Sequence, residues 1–200
     1  MHSGLASFFA PHRASVAAGH DLLELADGRS VRLSPVNPQD ASAERAFVGA
    51  LSLTSRYRRF HFGLRELSPE ASRAMTEIDQ HHHVAFVARP IGGETIVADA
   101  RYVLRADSGD AEFAIAVADD WQGAGLGRAL LNRLAAHARE RGVQRLFGDV
   151  LWGNPSMLGL VRSLGARLTR NPGDSTVVCV EFVFGEESAD RVICAPALAA

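Results

Sequence analysis

The most unusual property of the composition is the absence of lysine. All 21 basic residues of the 200-residue chain are arginine. A triphosphate-binding loop of the usual kind places a Lys-Ser/Thr pair directly after its glycines. The sequence therefore excludes that loop, and any phosphate group bound by this chain must be held by other donors.

The sequence also has few cysteines, no long apolar run and little net charge. The two cysteines, Cys179 and Cys194, do not make a disulfide framework, and reduced thiols in a cytoplasmic protein are the favoured interpretation. No apolar run approaches the length of a membrane span, and the first residues lack the basic leader of a signal peptide. A formal net charge of −2 gives no reason to expect nucleic acid or an anionic membrane as a partner.

What is present is an ordinary globular composition, with 47% hydrophobic and 22% charged residues. This length favours one domain. We expect a peripheral arm over residues 1–21, where no periodicity is visible, a folded domain over 22–187 and a tail over 188–200.

The pattern of apolar residues predicts a mixed α/β fold with the order β-α-α-β-β-β-α-β-α-β-β. Strands 22–25 and 30–35 are predicted to form a hairpin joined by Asp27-Gly28. One helix is predicted after Pro38, with an apolar face formed by Ala46, Phe47, Ala50 and Leu51. A second helix is predicted to begin at Ser68-Pro69. Residues 52–62, dense in arginine and aromatics, indicate neither a clean helix nor a clean strand. Residues 81–83, three consecutive histidines, are predicted as a solvated loop, because neighbouring imidazoles of an extended chain point to opposite faces. The later predicted elements are strands 84–89, 95–104, 145–151, 166–169 and 176–184 and a helix from about 155 to 163.

The most informative stretch is 111–142, which predicts a strand, a glycine-rich loop and a long helix. The helix has apolar residues at every fourth position, and Gly142 is placed to cap its end. The loop, Gln122-Gly-Ala-Gly-Leu-Gly127, leaves backbone N–H groups exposed at the start of this helix. Such groups have no partner within the helix, and the helix dipole favours an anion there, so the loop predicts a phosphate or pyrophosphate site.

The spacing of the glycines reduces the number of candidate phosphate-containing ligands. A dinucleotide-binding fingerprint needs G-x-G-x-x-G directly after its strand, whereas this chain has G-x-G-x-G with residues 119–121 intervening. The pattern resembles the coenzyme A pyrophosphate loop of the GNAT superfamily of N-acyltransferases. A glycine turn that merely closes a strand–helix unit is the alternative.

Three stretches carry a closer resemblance, to the catalytic domain of the bacterial Pat-type protein lysine acetyltransferases. They are Ser55-Arg-Tyr-Arg-Arg-Phe60, Ala111-Glu-Phe-Ala114 and Asp119-Asp-Trp-Gln-Gly-Ala-Gly-Leu-Gly127. The resemblance covers about residues 29–184. It implies the GNAT fold, a central, mostly antiparallel mixed sheet flanked by helices, and acetyl-CoA as cosubstrate with no metal.

Amine acetylation requires a base, because an alkyl amine with a pKa near 10.4 is almost wholly protonated at neutral pH and freeing it costs roughly 4–5 kcal/mol. Strand alternation places Glu112, Ala114 and Ala116 on one face, which leaves room for a substrate beside the carboxylate. We hypothesise that Glu112 is the general base, directly or through a water, in agreement with the glutamate that the resemblance implies. A solvated edge glutamate is the alternative.

The resemblance also implies the cofactor-binding residues. Backbone groups of Ile115 and Val117 would pair with the pantetheine arm, and the Val117 N–H would polarise the thioester carbonyl. Asn154 would hydrogen-bond the same arm, cap the next helix, or do both. The pyrophosphate would be held by Gln122, Gly123, Gly125, Gly127 and Arg128.

The acceptor is less determined. Residues 56–60 are expected near the acceptor side, as a cationic, aromatic rim or as packed, paired arginines. Val161 stands where many GNAT enzymes have the tyrosine that protonates the thiolate, so the general acid is unassigned. Because neither cysteine suits a nucleophile, direct attack in a ternary complex is favoured. Three functions are compatible: a protein lysine acetyltransferase, a small-molecule amine acetyltransferase, and a non-catalytic CoA-binding module. Acyl chain length and oligomeric state stay open.

Overall fold

The computed structural model describes residues 15–17, 20–106 and 108–184, and its framework is one mixed sheet. The strands are β1 (Ser15–Ala17), β2 (His20–Glu24), β3 (Ser30–Pro35), β4 (His83–Pro90), β5 (Ala98–Leu104), β6 (Asp110–Val117), β7 (Arg145–Leu151), β8 (Arg167–Arg170) and β9 (Val177–Val183). Their order in the sheet is β1-β2-β3-β4-β5-β6-β7-β9-β8. Neighbours are antiparallel except β6 and β7, which are parallel.

Helices cover both faces of the sheet. They are α1 (Ala41–Ala50), α2 (Leu53–Phe60), α3 (Pro69–Thr76), α4 (Leu126–Glu140) and α5 (Pro155–Ser163). One face packs against α4 and α5 through a large apolar core. The other face packs against α1, α2 and α3 through a smaller core that contains Phe47, Val48 and Leu51. Because side chains alternate along a strand, each sheet residue belongs to one of these two layers.

The feature that positions the site is a fork between β6 and β7. The two strands pair at only three positions, which end at Glu112 opposite Phe147, although both strands continue within the described chain. The Phe113 ring and carbonyl pack directly on Gly148 at the point of divergence. A Cβ at Gly148 would lie 2.8 Å from the Phe113 carbonyl oxygen. The glycine therefore permits a close approach that no other residue allows.

Several sequence predictions are confirmed. The Asp27-Gly28 hairpin pairs β2 with β3, and the Ser68 side chain accepts from the Ala71 N–H at the start of α3. The apolar stripe of α4 is buried as expected, and β7 and α5 have the predicted bounds. The predicted solvated loop at 81–83 is confirmed for His81 and His82, which are exposed, but His83 is half-buried and begins β4; Asp79 accepts the N–H groups of all three histidines.

Two other predictions, on residues 53–60 and on the buried face of α1, are wrong. Residues 53–60 form the regular helix α2, because Ser52 caps its start and its arginines find partners elsewhere in the fold. In α1, Ala46 is exposed whereas Glu44 is completely buried, so the inward face differs from the expected one. Residues 15–17 and 20–21, which lie within the predicted peripheral arm, form β1 and the start of β2 at the edge of the sheet. The arm's first residues and the predicted tail lie outside the described residues.

In the described part of the chain, no helix combines the length and the apolar character that crossing a membrane requires.

Replacing Gly148 with alanine tests the packing at the fork. The added methyl group must displace the Phe113 backbone, so we expect a loss of about 1–3 kcal/mol in the free energy of unfolding. Urea denaturation measures it. Gly159→Ala in α5 is the matched control, since a Cβ there meets nothing within 4 Å and alanine favours a helix. Equal stabilities for the two variants would contradict the close approach.

Candidate active site

The backbone of β6 offers donors and acceptors to the open side of the fork. Ala118 donates to the Val97 carbonyl of the neighbouring chain segment, and Arg105 donates to the Asp110 carbonyl. Even-numbered residues of β6 therefore bond to β5, and the odd-numbered ones direct their N–H and C=O groups toward β7. Beyond the last paired position, this places the backbone groups of Ile115 and Val117 in the cleft.

The glycine-rich loop lies at the end of the same strand. Gly123 and Gly125 have φ angles of 81° and 93°, which side-chain-bearing residues rarely adopt. Gly125 is the N-cap of α4 and supplies no capping side chain, so the first amides of this 15-residue helix stay available to a ligand. These donors suit a pyrophosphate. Arg29 stacks 4.1 Å from the Trp121 ring centroid and fixes the loop against the β2–β3 hairpin.

Three further residues of the expected cofactor site use their side chains within the protein. Gln122 donates from Nε2 to the Val117 carbonyl, 3.0 Å away. Arg128 donates from Nη2 to the Ser163 hydroxyl at 2.6 Å, which ties α4 to α5. The Asn154 side chain caps α5 by accepting from the Met157 N–H at 3.3 Å. A bound ligand would therefore meet mainly their backbone groups, and Gly127 lies on the first turn of α4 between these elements.

Glu112 lies at the last paired position of β6, where the fork opens. Its strand neighbours on the same face include Ala116, which belongs to the layer of α1 to α3, so the carboxylate is on the side of α2. The residue is half-buried. Desolvation raises the pKa of Glu112 above its usual value, although the nearby Arg105 and Arg59 lower it. A carboxylate with a raised pKa is a stronger base than a solvated one.

Near this position lies a charge cluster, which we define as the buried Glu44, Asp99 and Arg101 together with the half-buried Arg59. Asp99 binds the Arg101 guanidinium through both oxygens, at 3.0 and 2.6 Å. Glu44 Oε1 lies 3.3 Å from Arg101 Nη2, whereas its Oε2 has no partner among the described residues. Burial raises the pKa of Glu44 to about 8; Asp99 adds to this rise, while Arg101 and Arg59 oppose it.

The arginines of α2 do not form the cationic rim that one expectation described. The Arg56 guanidinium is buried and donates to the carbonyls of Gly49, Leu51, Leu64 and Arg65. Arg58 donates to the Gly153 carbonyl at 3.1 Å, which joins α2 to the turn after β7. Arg59 is half-buried and belongs to the charge cluster. These arginines fix the position of α2.

Sequence reasoning missed the roles of Glu44 and Asp119. Asp119 accepts hydrogen bonds from Ser52 and Ser55 at the start of α2. Ser52 is a favoured N-cap residue directly before the helix, and this helix-start signal could have predicted α2. No local signal marks Glu44, because its partners come from β5.

Next to α2 is an open cavity of about 680 Å³. Leu53, Tyr57 and Trp152 line it, and they are 77%, 50% and 59% exposed. The cavity lies between the start of α2 and the turn after β7, beside the fork.

Comparison with known proteins agrees with this architecture. Residues 50–166 match the model of the acetyltransferase (GNAT) family. The chain is 34% identical over 167 residues to an acetyltransferase of Pseudomonas aeruginosa, covering 82% of this chain and 90% of that protein. It is 33% identical over 162 residues to acetyltransferase Pat of Mycolicibacterium smegmatis, covering 80% of this chain and 47% of that protein. The chain thus spans about half the length of the latter.

Comparison with solved structures also finds acetyltransferases of the GNAT family. The crystal structure of the GNAT domain of S. lividans PAT matches with a TM-score of 0.77 and 31% identity, covering 85% of this chain and 99% of that one. An acetyltransferase structure from Salmonella typhimurium, described with its cofactor acetyl-CoA, matches in fold with a TM-score of 0.65 and 20% identity, over 82% of this chain and 99% of that one.

The chain belongs to the GNAT family of acetyltransferases. Within this family it is similar to proteins named Pat, in agreement with the resemblance seen in its motifs.

Glu44 should make stability depend on pH. Between its unfolded pKa near 4.5 and its folded pKa of about 8, the unfolded chain loses a proton that the folded protein keeps. Raising the pH therefore favours unfolding, by about 2–5 kcal/mol in total. We expect the free energy of unfolding to fall between pH 5 and about 8.5 in the wild type and to fall less in Glu44→Gln.

Urea denaturation at both pH values checks this difference. Glu140→Gln, at the exposed end of α4, is the control and should follow the wild type. Parallel pH curves for wild type and Glu44→Gln would show that Glu44 is ionised in the folded protein.

Proposed function

We propose that this chain transfers the acetyl group of acetyl-CoA to a primary amine, a lysine side chain of a protein, by direct attack in a ternary complex in the cytoplasm. Glu112 is the general base. The observation that carries this proposal is the half-buried Glu112 carboxylate at the opening of the β6–β7 fork, on the side of α2.

Binding of the cosubstrate uses backbone groups. Ile115 and Val117 would pair with the pantetheine arm along the open edge of β6. The pyrophosphate would lie against the first turn of α4, where Gly123, Gly125, Gly127 and Arg128 present N–H groups and Gln122 and Asn154 hold the flanking backbone. The thioester carbonyl would then accept from the Val117 N–H.

The chemical step depends on deprotonation of the acceptor. Glu112 takes a proton from the ammonium group, directly or through a water, and the freed amine attacks the thioester carbon. The C–N bond forms, the C–S bond breaks, and the thiolate leaves with a proton from solvent or from the acceptor. Val161 is completely buried in the core and has no proton to give.

The open cavity beside α2 favours a macromolecular acceptor. A small amine is usually enclosed by its site, whereas Leu53, Tyr57 and Trp152 are at least half exposed. Exposed apolar and aromatic side chains of this kind are typical of protein-contacting surfaces. This observation supports the lysine of a protein over a small-molecule amine.

Replacing Glu112 with glutamine should lower kcat about 10²–10⁴-fold while acetyl-CoA affinity changes less than about threefold, since the backbone site is untouched. Thiol release from acetyl-CoA in the presence of lysine peptides measures kcat, and calorimetry measures binding. Glu140→Gln is the control. Unchanged turnover in Glu112→Gln would remove Glu112 as the base, and acetyl-CoA binding without thiol release from any acceptor would favour a non-catalytic module.

Replacing Trp152 with alanine tests the acceptor. We expect KM for a lysine peptide to rise about 3–10-fold with little change in kcat, and KM for a small alkylamine to stay constant, because only the peptide reaches the cavity. Ile91→Ala is the control, since Ile91 is 56% exposed in the turn after β4. Turnover of small amines alone, with no effect of Trp152→Ala, would identify a small-molecule acetyltransferase.

A further inference from the structure

Asp119 joins the acceptor side of the site to the cofactor side. It is the first residue of the short 3-10 helix Asp119–Trp121, between β6 and the glycine-rich loop. Its Oδ2 accepts from the Ser52 N–H at 2.9 Å. Its Oδ1 accepts from the hydroxyls of Ser52 and Ser55, each at 2.7 Å. One carboxylate therefore receives three hydrogen bonds from the start of α2.

These bonds keep Asp119 ionised. Partial burial alone would raise the pKa of Asp119, but the donated hydrogen bonds from Ser52 and Ser55 outweigh it and leave the pKa below its usual value. A negative charge at the first turn of α2 also suits the helix dipole. Ser52 itself caps α2 by accepting from the Ser55 N–H at 3.1 Å. The link thus combines capping with a charge-assisted contact.

Gln122 extends the link to the strand that borders the cleft. Its Nε2 donates to the Ser55 hydroxyl at 3.2 Å and to the Val117 carbonyl at 3.0 Å. The start of α2, the glycine-rich loop and the end of β6 consequently form one hydrogen-bonded unit. Any displacement of α2 relative to Val117 must break bonds of Asp119 or Gln122.

We propose that Asp119 is a positioning residue for acetyl transfer. Through Ser52 and Ser55 it holds α2, which lines the acceptor side, in register with the loop and strand that hold acetyl-CoA. The inference rests on the proposed function and adds to it the group that sets the distance between amine and thioester. Because a misplacement of about 1 Å can lower a rate about 10²-fold, such a contact acts on kcat more than on binding.

The test is Asp119→Asn, which keeps the shape of the side chain but replaces one carboxylate oxygen with an NH2 group. That group cannot accept the hydrogen bonds that Ser52 and Ser55 donate. We expect kcat with a lysine peptide to fall about 10–100-fold, with acetyl-CoA affinity within about threefold of wild type. Asp120→Asn is the matched control, since in the described part of the chain only the Asp120 backbone carbonyl makes a hydrogen bond. Its kcat should equal that of the wild type.

Ser55→Ala is a second variant that tests the same link if Asp119→Asn folds poorly. It removes one of the three bonds, so we expect a smaller loss of kcat, and the double variant should lose less than the product of the two single losses. Wild-type kcat in Asp119→Asn, or equal losses in kcat and in acetyl-CoA affinity, would overturn the positioning role alone. No thiol release from the wild type with any acceptor would overturn the proposed function itself.

Discussion

Strand pairing that ends after three positions is the constraint on which the rest of this structure depends. Because β6 and β7 diverge after Glu112 and Phe147, the backbone groups of Ile115 and Val117 point into a cleft rather than to a neighbouring strand. Packing of Phe113 on Gly148 occupies the point of divergence. A ligand that pairs with β6 would break no existing ladder on entering, which lowers the cost of binding.

The layer between the sheet and helices α1 to α3 contains charged groups that are hidden in the protein. Arg101 is held by Asp99 and Glu44, all three of them buried. Desolvation makes such a cluster a poor source of stability but a strict determinant of geometry, because each charge has few acceptable positions. Arg59 connects this cluster to the surroundings of Glu112. The pKa of Glu112 is thus set partly by charged side chains of other elements.

Much of the fold was predictable because its signals are local. The α4 stripe, the glycine-rich loop and the hairpin at Asp27-Gly28 each lie within one stretch of sequence, and Glu112 follows from strand alternation next to that loop. The helical conformation of α2 was not predictable in this way, since its arginines interact with carbonyl and carboxylate groups of other elements. The inward position of Glu44 has the same cause, because a buried carboxyl group needs a polar partner and Arg101 comes from the distant strand β5.

The choice of arginine for these anchors affects how the protein responds to alkaline conditions. Burial alone would lower the pKa of Arg101, but Asp99 and Glu44 raise it above its usual value, whereas a lysine in its place would begin to lose its charge near pH 10. Since this chain has no lysine of its own, no lysine of the scaffold loses its charge in that range.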